Sequence, residues 1–159
     1  MSDWERRNPE RVAAPEAELP LPPAVPRNEN LIEFYVGPTA SFRYFIDAPS
    51  LGVLYKQKEV RYVLVARSPS GAQNVSYEAI RCPDMHRVYA IADAGGKWSA
   101  RPGEWQEIQR RTGLGWPGVL AREYFCPHRD PLQSAAEGVN ALRLGGHPLV
   151  RTEQKNLGR

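Results

Sequence analysis

Val60 to Arg67 (VRYVLVAR), Ser68 to Asn74 (SPSGAQN) and Val75 to Cys82 (VSYEAIRC) decide the fold. The outer segments are rich in β-branched and aromatic residues, which suit a pleated surface. The seven residues between them are turn chemistry. So short a link cannot hold a crossover, so the two strands pair antiparallel. Working toward the N-terminus, LGVL (51–54), FRYFI (42–46) and LIEFYV (31–36) read as further strands. Asp47-Ala48-Pro49 and Gly37-Pro38 punctuate them. Working toward the C-terminus, HRVYAIA (86–92) is a strand that Asp93-Ala94-Gly95-Gly96 turns toward Lys97-Trp98-Ser99, and Trp105 to Ile108 adds one more. Strand alternation puts Val60, Tyr62 and Leu64 on one face and Arg61, Val63, Val65 and Arg67 on the other. It separates Phe42, Tyr44 and Ile46 from Arg43 and Phe45 in the same way.

The C-terminal third changes period. Pro117 suits the first turn of a helix, where its missing N–H costs nothing. Leu120/Tyr124 and Ala121/Phe125 are spaced i, i+4. Ser134 and Glu137 match a capping box ahead of a second helix with Val139 and Leu142 on its apolar stripe. Gly145 stands where a C-terminal cap glycine belongs. Strands first and helices after predict an α+β fold: an antiparallel sheet of about five to six strands packed with C-terminal helices.

The ends differ from this body. Six of the fifteen prolines fall in the first 26 residues, with five acids and three bases. Proline removes backbone donors and fixes φ, so residues 1–27 read as a disordered, proline-rich arm. Trp4 gives that arm one group that would gain from burial. Residues 28–143 form the single domain, and 144–159 read as a flexible basic tail. Net charge is +3, and residues 27–159 carry 18 bases and 13 acids. That is short of the clustered charge of a nucleic-acid binder. Arginines and aromatics on one sheet face could hold a polyanion, but no ribonucleoprotein-type motif accompanies them, so no nucleic-acid partner is expected. With no apolar run of 18 residues, no membrane span is expected either.

Cys82 and Cys126 each precede a proline. Their spacing alone fits a disulfide in an oxidising compartment and equally fits two buried thiols in the cytosol. Cys82, His86, Cys126 and His128 could form a Cys₂His₂ zinc set, although C-x-H is short for a knuckle. His86, His128 and His147 are scattered, Glu104 and Glu107 lie near a possible strand, and Gly95-Gly96 and Gly113-Leu114-Gly115 match no phosphate loop. No catalytic residue, metal ligand or cofactor is assigned.

ENLIEFYV, FRYFIDAPSLGV, VRYVLVARSPSGAQNVSYEAIRC and YFCP resemble the cryptic neisserial protein-like family of proteobacterial envelope proteins, over roughly residues 28–143. The layout is similar, more weakly, to surface-adhesin protein E type domains. The family resemblance implies export and a Cys82–Cys126 disulfide. It implies a non-catalytic binding or structural protein of the periplasm or outer membrane, with a protein partner in the envelope or at the cell surface. Membrane association would then run only through a lipid anchor. The chain opens Met-Ser-Asp-Trp with no apolar export segment, so the expectation is a mature form without its signal. The alternative is a cytosolic thiol- or zinc-containing module or minor enzyme.

Overall fold

The computed structural model describes residues 22–101, 103–109 and 115–151. The central hairpin forms as its sequence requires: β4 (Glu59–Arg67) and β5 (Gln73–Arg81) pair antiparallel in unbroken register, with Val63 opposite Tyr77 and Tyr62 opposite Glu78. Around it stand β1 (Leu31–Phe34), β2 (Arg43–Asp47), β3 (Gly52–Leu54), β6 (Met85–Ala92), β7 (Trp98–Ala100) and β8 (Gln106–Glu107). The main path runs β1-β2-β4-β5-β6-β7, all antiparallel. Two short strands complete it: β3 takes the part of β4 that β2 leaves open, and β8 does the same on β6. This is the expected α+β antiparallel sheet, with a disulfide joining it to the helical layer.

One face of the sheet packs on the helices. Phe34, Ile46, Val60, Tyr62, Leu64 and Ile80 meet Leu120, Tyr124, Phe125, Leu132, Ala141 and Leu142 in one buried cluster. α1 (Trp116–Val119) carries Pro117 in its first turn as expected, but continues as a π-helical segment, Leu120–Phe125. The i, i+4 apolar spacing predicted a plain α-helix there; the same side chains are buried by the wider turn, so burial did not distinguish the two. α2 (Ala135–Arg143) starts at Ser134, whose hydroxyl accepts from the Glu137 amide at 3.2 Å. The Glu137 carboxylate accepts from the Gln133 amide at 2.8 Å, one residue before the position a capping box uses. Gly138 lets α2 approach closely: a Cβ there would lie 2.5 Å from Leu51 Cδ2 and 2.7 Å from Leu132 Cδ1. Gly145, at φ +76°, ends the helix.

Both ends of the domain reach further than expected. Residues 144–151 belong to the body. The His147 amide donates to the Glu123 carbonyl at 2.8 Å, its buried ring bonds Glu137 Oε2 at 3.2 Å, and Val150 is buried in the helical turn at 148–151. That turn has no apolar period to announce it; a paired histidine supplies the anchor. Residues 22–27 of the expected arm lie against the sheet: the Trp98 indole N–H donates to the Pro23 carbonyl at 2.9 Å, and Val25 packs beside Gly96. Proline lacks a donor but keeps its acceptor, and that acceptor is the group used. Trp4 and the rest of the arm, the remainder of the tail and Gly113-Leu114 lie outside the described residues.

Asp47 ends β2 almost fully buried, and its Oδ1 has no partner. Burial raises its pKa, and the Ser50 hydroxyl only partly opposes this. Above the ordinary carboxylate range the unfolded chain gives up this proton while the folded chain holds it. Stability therefore falls as pH rises through that window. Asp47→Asn should flatten the slope. Urea midpoints across pH should then show the variant without the fall in stability that wild type undergoes as pH rises above the ordinary carboxylate value. Parallel pH profiles for the two proteins would count against this assignment.

Candidate functional site

The face of the sheet away from the helices carries its own buried cluster: Phe45, Val63, Val65, Val75, Tyr77, Ala79, Tyr89 and Ala90, with Leu31, Ala92, Trp98 and Trp105 against it. Among the described residues no helix lies on this face. Arginine side chains cover it instead. Arg43 and Arg67 sit over the Phe45 ring at 5.4 and 4.8 Å, Arg61 and Arg87 over Tyr89 at 5.5 and 5.1 Å, and Arg81 over Trp105 at 4.2 Å. Strand alternation puts them there, since Arg61, Arg67 and Arg81 share a face with Val63, Val65 and Tyr77. A guanidinium over a ring meets the ring's negative face, and its N–H groups suit carboxylate or phosphate.

Two carboxylates belong to the same face. Glu59, 1% exposed, pairs with Arg61 and accepts from the Tyr89 hydroxyl at 3.0 Å. Burial lowers the Arg61 pKa, but the adjacent Glu59 charge more than offsets this and raises it overall, fixing Arg61 as a cation. Burial, reinforced by Glu59, raises the Tyr89 phenol, so it stays a donor. Glu33 forms an exposed two-bond pair with Arg43, at 2.6 and 3.0 Å. Arg67 bonds two neutral groups, Gln73 Oε1 at 2.8 Å and Asn28 Oδ1. Of the five guanidiniums, Arg43 and Arg61 are thus each paired with a carboxylate of this face, Glu33 and Glu59.

A different polar cluster lies between the sheet and α1. Glu78 is 1% exposed and sits opposite Tyr62. Its Oε1 accepts from the Tyr62 hydroxyl at 3.1 Å and the Trp116 indole at 2.9 Å, and lies 2.7 Å from His86 Nε2; its Oε2 accepts from Ser76 at 2.5 Å. Burial pushes the Glu78 carboxyl up, but the bonds from His86, Ser76 and Trp116 outweigh it and lower the pKa overall. The same buried charge, added to desolvation, holds the Tyr62 phenol neutral. His86 lines two clefts, of about 470 and 190 Å³; Glu104 borders the first and Glu107 the second. The cluster is a carboxylate–imidazole pair with no hydroxyl or thiol nucleophile bonded to the imidazole among the contacts described.

Cys82 and Cys126 are joined, Cα to Cα 5.6 Å, so neither sulfur is a free thiol or an open zinc ligand. Of the zinc alternative's other members, His86 is committed to Glu78, and His128 sits in the short turn after Cys126 at positive φ. Among the described residues, no three His, Cys, Asp or Glu side chains are placed to hold a metal. No described helix is long and apolar enough to cross a membrane. The sequence reading missed Glu78 and His86 as a pair. The available signal was a glutamate at a position that alternates with core residues Ile80 and Cys82.

A family model matches residues 10–143, most of the chain and all of the sheet. The chain belongs to the CNP1-like family. This agrees with the resemblance to the cryptic neisserial protein-like family. No curated protein and no solved structure matches it, and the weaker likeness to surface-adhesin protein E type domains gains no support. For this CNP1-like chain the site must therefore be argued from its own chemistry.

Proposed function

We propose that this CNP1-like chain is a non-catalytic binding module of the periplasm or outer membrane. The arginine–aromatic face of its sheet takes an acidic, extended segment of a protein partner. The observation that carries this reading is the set of five guanidiniums laid over three aromatic rings on the face that no described helix covers. Arginine clusters recognise acidic motifs, and aromatic-lined surfaces take extended proline-containing chain. The envelope location rests on the Cys82–Cys126 bond, because structural disulfides persist in oxidising compartments and are rare in the cytosol.

The test joins two readouts. Thiol trapping in intact cells should find both cysteines blocked; two reactive thiols would overturn the envelope location. Capture from envelope extract should return a protein that wild type retains and Arg67→Gln/Arg81→Gln/Arg87→Gln loses. Moderate salt should release it, and its cross-linked peptide should be acidic. Equal capture by both proteins, or capture of nucleic acid instead, would overturn the face assignment.

A further inference from the structure

The outer edge of β6 is covered only in part. β8 pairs with Met85 and His86, and β7 with Ala90 to Ala92; among the described residues no strand pairs with the stretch between them on that side. The cleft of about 470 Å³ opens at this interval, over Val88 and Ile91. The cleft of about 190 Å³ lies between β8 and the start of α1, beside Ile108 and Pro117. His86 and Gln106 line both. They stand opposite each other in the β6–β8 ladder, so their side chains leave the sheet on the same side, with Cβ atoms ~4.5–5.5 Å apart. That side is the helix side, because His86 also stands opposite Ile80 of the helix-side core. The clefts are therefore separate from the arginine–aromatic face.

Glu78 fixes the imidazole between them. An ionised carboxylate only accepts, so His86 Nε2 carries the hydrogen of their 2.7 Å bond. His86 Nδ1 has no partner among the described residues and is not sealed from solvent, so it meets the water of a cleft. The Gln106 carboxamide is exposed and makes no hydrogen bond among the described residues.

We infer that the two clefts form one groove for a short apolar peptide, with a peptide group held between His86 Nδ1 and the Gln106 carboxamide. Its side chains rest on Val88 and Ile91 to one side and on Ile108 and Pro117 to the other. A secondary amide carries one donor and one acceptor, and this pair of residues matches it in either state of the imidazole. When the ring is neutral, Nδ1 takes the peptide N–H and Gln106 Nε2 donates to the peptide carbonyl. When the ring is protonated, Nδ1 donates to the carbonyl and Gln106 Oε1 takes the N–H; the carboxamide only has to turn over. A carboxylate fits the second state alone. The rims select no single charge, since Arg87 and Arg101 stand with Glu104 at the larger cleft and Glu107 stands at the smaller. Val88, Ile91 and Ile108 are half-buried, which leaves apolar surface for the ligand to cover. The larger cleft alone falls within the range of ~300–1,000 Å³ that small-ligand sites occupy.

Trp116 reports on the groove, because its indole N–H donates to the same Glu78 oxygen and its ring meets His86 edge-on at 6.4 Å. The experiment titrates full-length, isotope-labelled protein with three probes: the blocked tripeptide acetyl-Val-Ala-Val-amide, its analogue methylated at every backbone nitrogen, and hexanoate. The expected result with the tripeptide is a saturable shift of the His86 ring nitrogens, the Trp116 indole and the methyls of Val88, Ile91 and Ile108. Methylation removes the peptide donors, and Gln106→Leu removes the carboxamide; each should weaken binding at least tenfold. Gln106 is exposed, so the variant should keep the urea midpoint of wild type. Tripeptide binding that leaves the His86 nitrogens unmoved, or that is equal after methylation or in Gln106→Leu, would overturn the inference. So would tighter binding of hexanoate, which would mark a carboxylate site, or no binding at millimolar tripeptide.

Discussion

The double variant Cys82→Ser/Cys126→Ser should unfold with a stability about 3–4 kcal/mol below wild type and a Tm lower by roughly 10 °C. The bond closes a loop of sequence separation 44. Chain entropy puts the cost of opening such a loop near 4 kcal/mol, a figure that residual structure in the unfolded chain reduces. Against a domain stability of ~5–15 kcal/mol this is a large fraction. Changing both cysteines avoids a lone thiol that could pair between molecules. The check is a pair of urea curves, with and without reductant. Wild type in reductant should approach the double variant, and the double variant should not respond to reductant. Coincident midpoints for all four samples would show that the cross-link carries no stability.

Much of this architecture is legible from residue type alone, for a physical reason. A strand has a period of two, so VRYVLVAR fixes both its faces as soon as it is recognised, and the register confirms Tyr62 and Leu64 on one side and Arg61 and Arg67 on the other. Helical spacing is less decisive: Leu120/Tyr124 and Ala121/Phe125 pack equally well from a π turn. What the sequence hid are contacts made by groups with an ordinary solvent-exposed role. Glu78 in a strand reads as an outward charge, and only the pairing opposite Tyr62 and the arrival of Trp116 from 38 residues away show it facing inward. Pro23 and His147 escaped similarly, since one backbone carbonyl or one imidazole can anchor a segment that has no periodicity. The arginine–aromatic face was visible as an alternation; residues 22–27 lying against the sheet were not.

Glu78→Ala should be the most destabilising single substitution on the helix side, at about 3–5 kcal/mol. Removing one member of a buried pair leaves the other members desolvated and unmatched. The Tyr62 hydroxyl, the Trp116 indole and His86 all converge on one carboxylate oxygen and would lose their partner together. Glu78→Gln keeps an oxygen for those three and can turn an amide N–H toward Ser76, so it should cost roughly 1–2 kcal/mol. Acid separates the same variants. The folded Glu78 pKa lies below its ordinary value, so its contribution is complete above about pH 4.5 and is lost as pH falls through the folded value. The Gln variant should lack that part of the acid slope. Position explains why the effect should be large. Glu78 holds Trp116 at the start of α1, and Cys82 holds Cys126 at the end of the π segment. Four residues of strand span ~13 Å, and the α and π turns from Trp116 to Cys126 rise over a comparable length, so one strand grips the helical rod at both ends. Loosening either grip leaves the other carrying the rod. Combining Glu78→Ala with the double serine variant should therefore depart from additivity by more than 0.5 kcal/mol. Strict additivity would show that the two ends hold the rod independently.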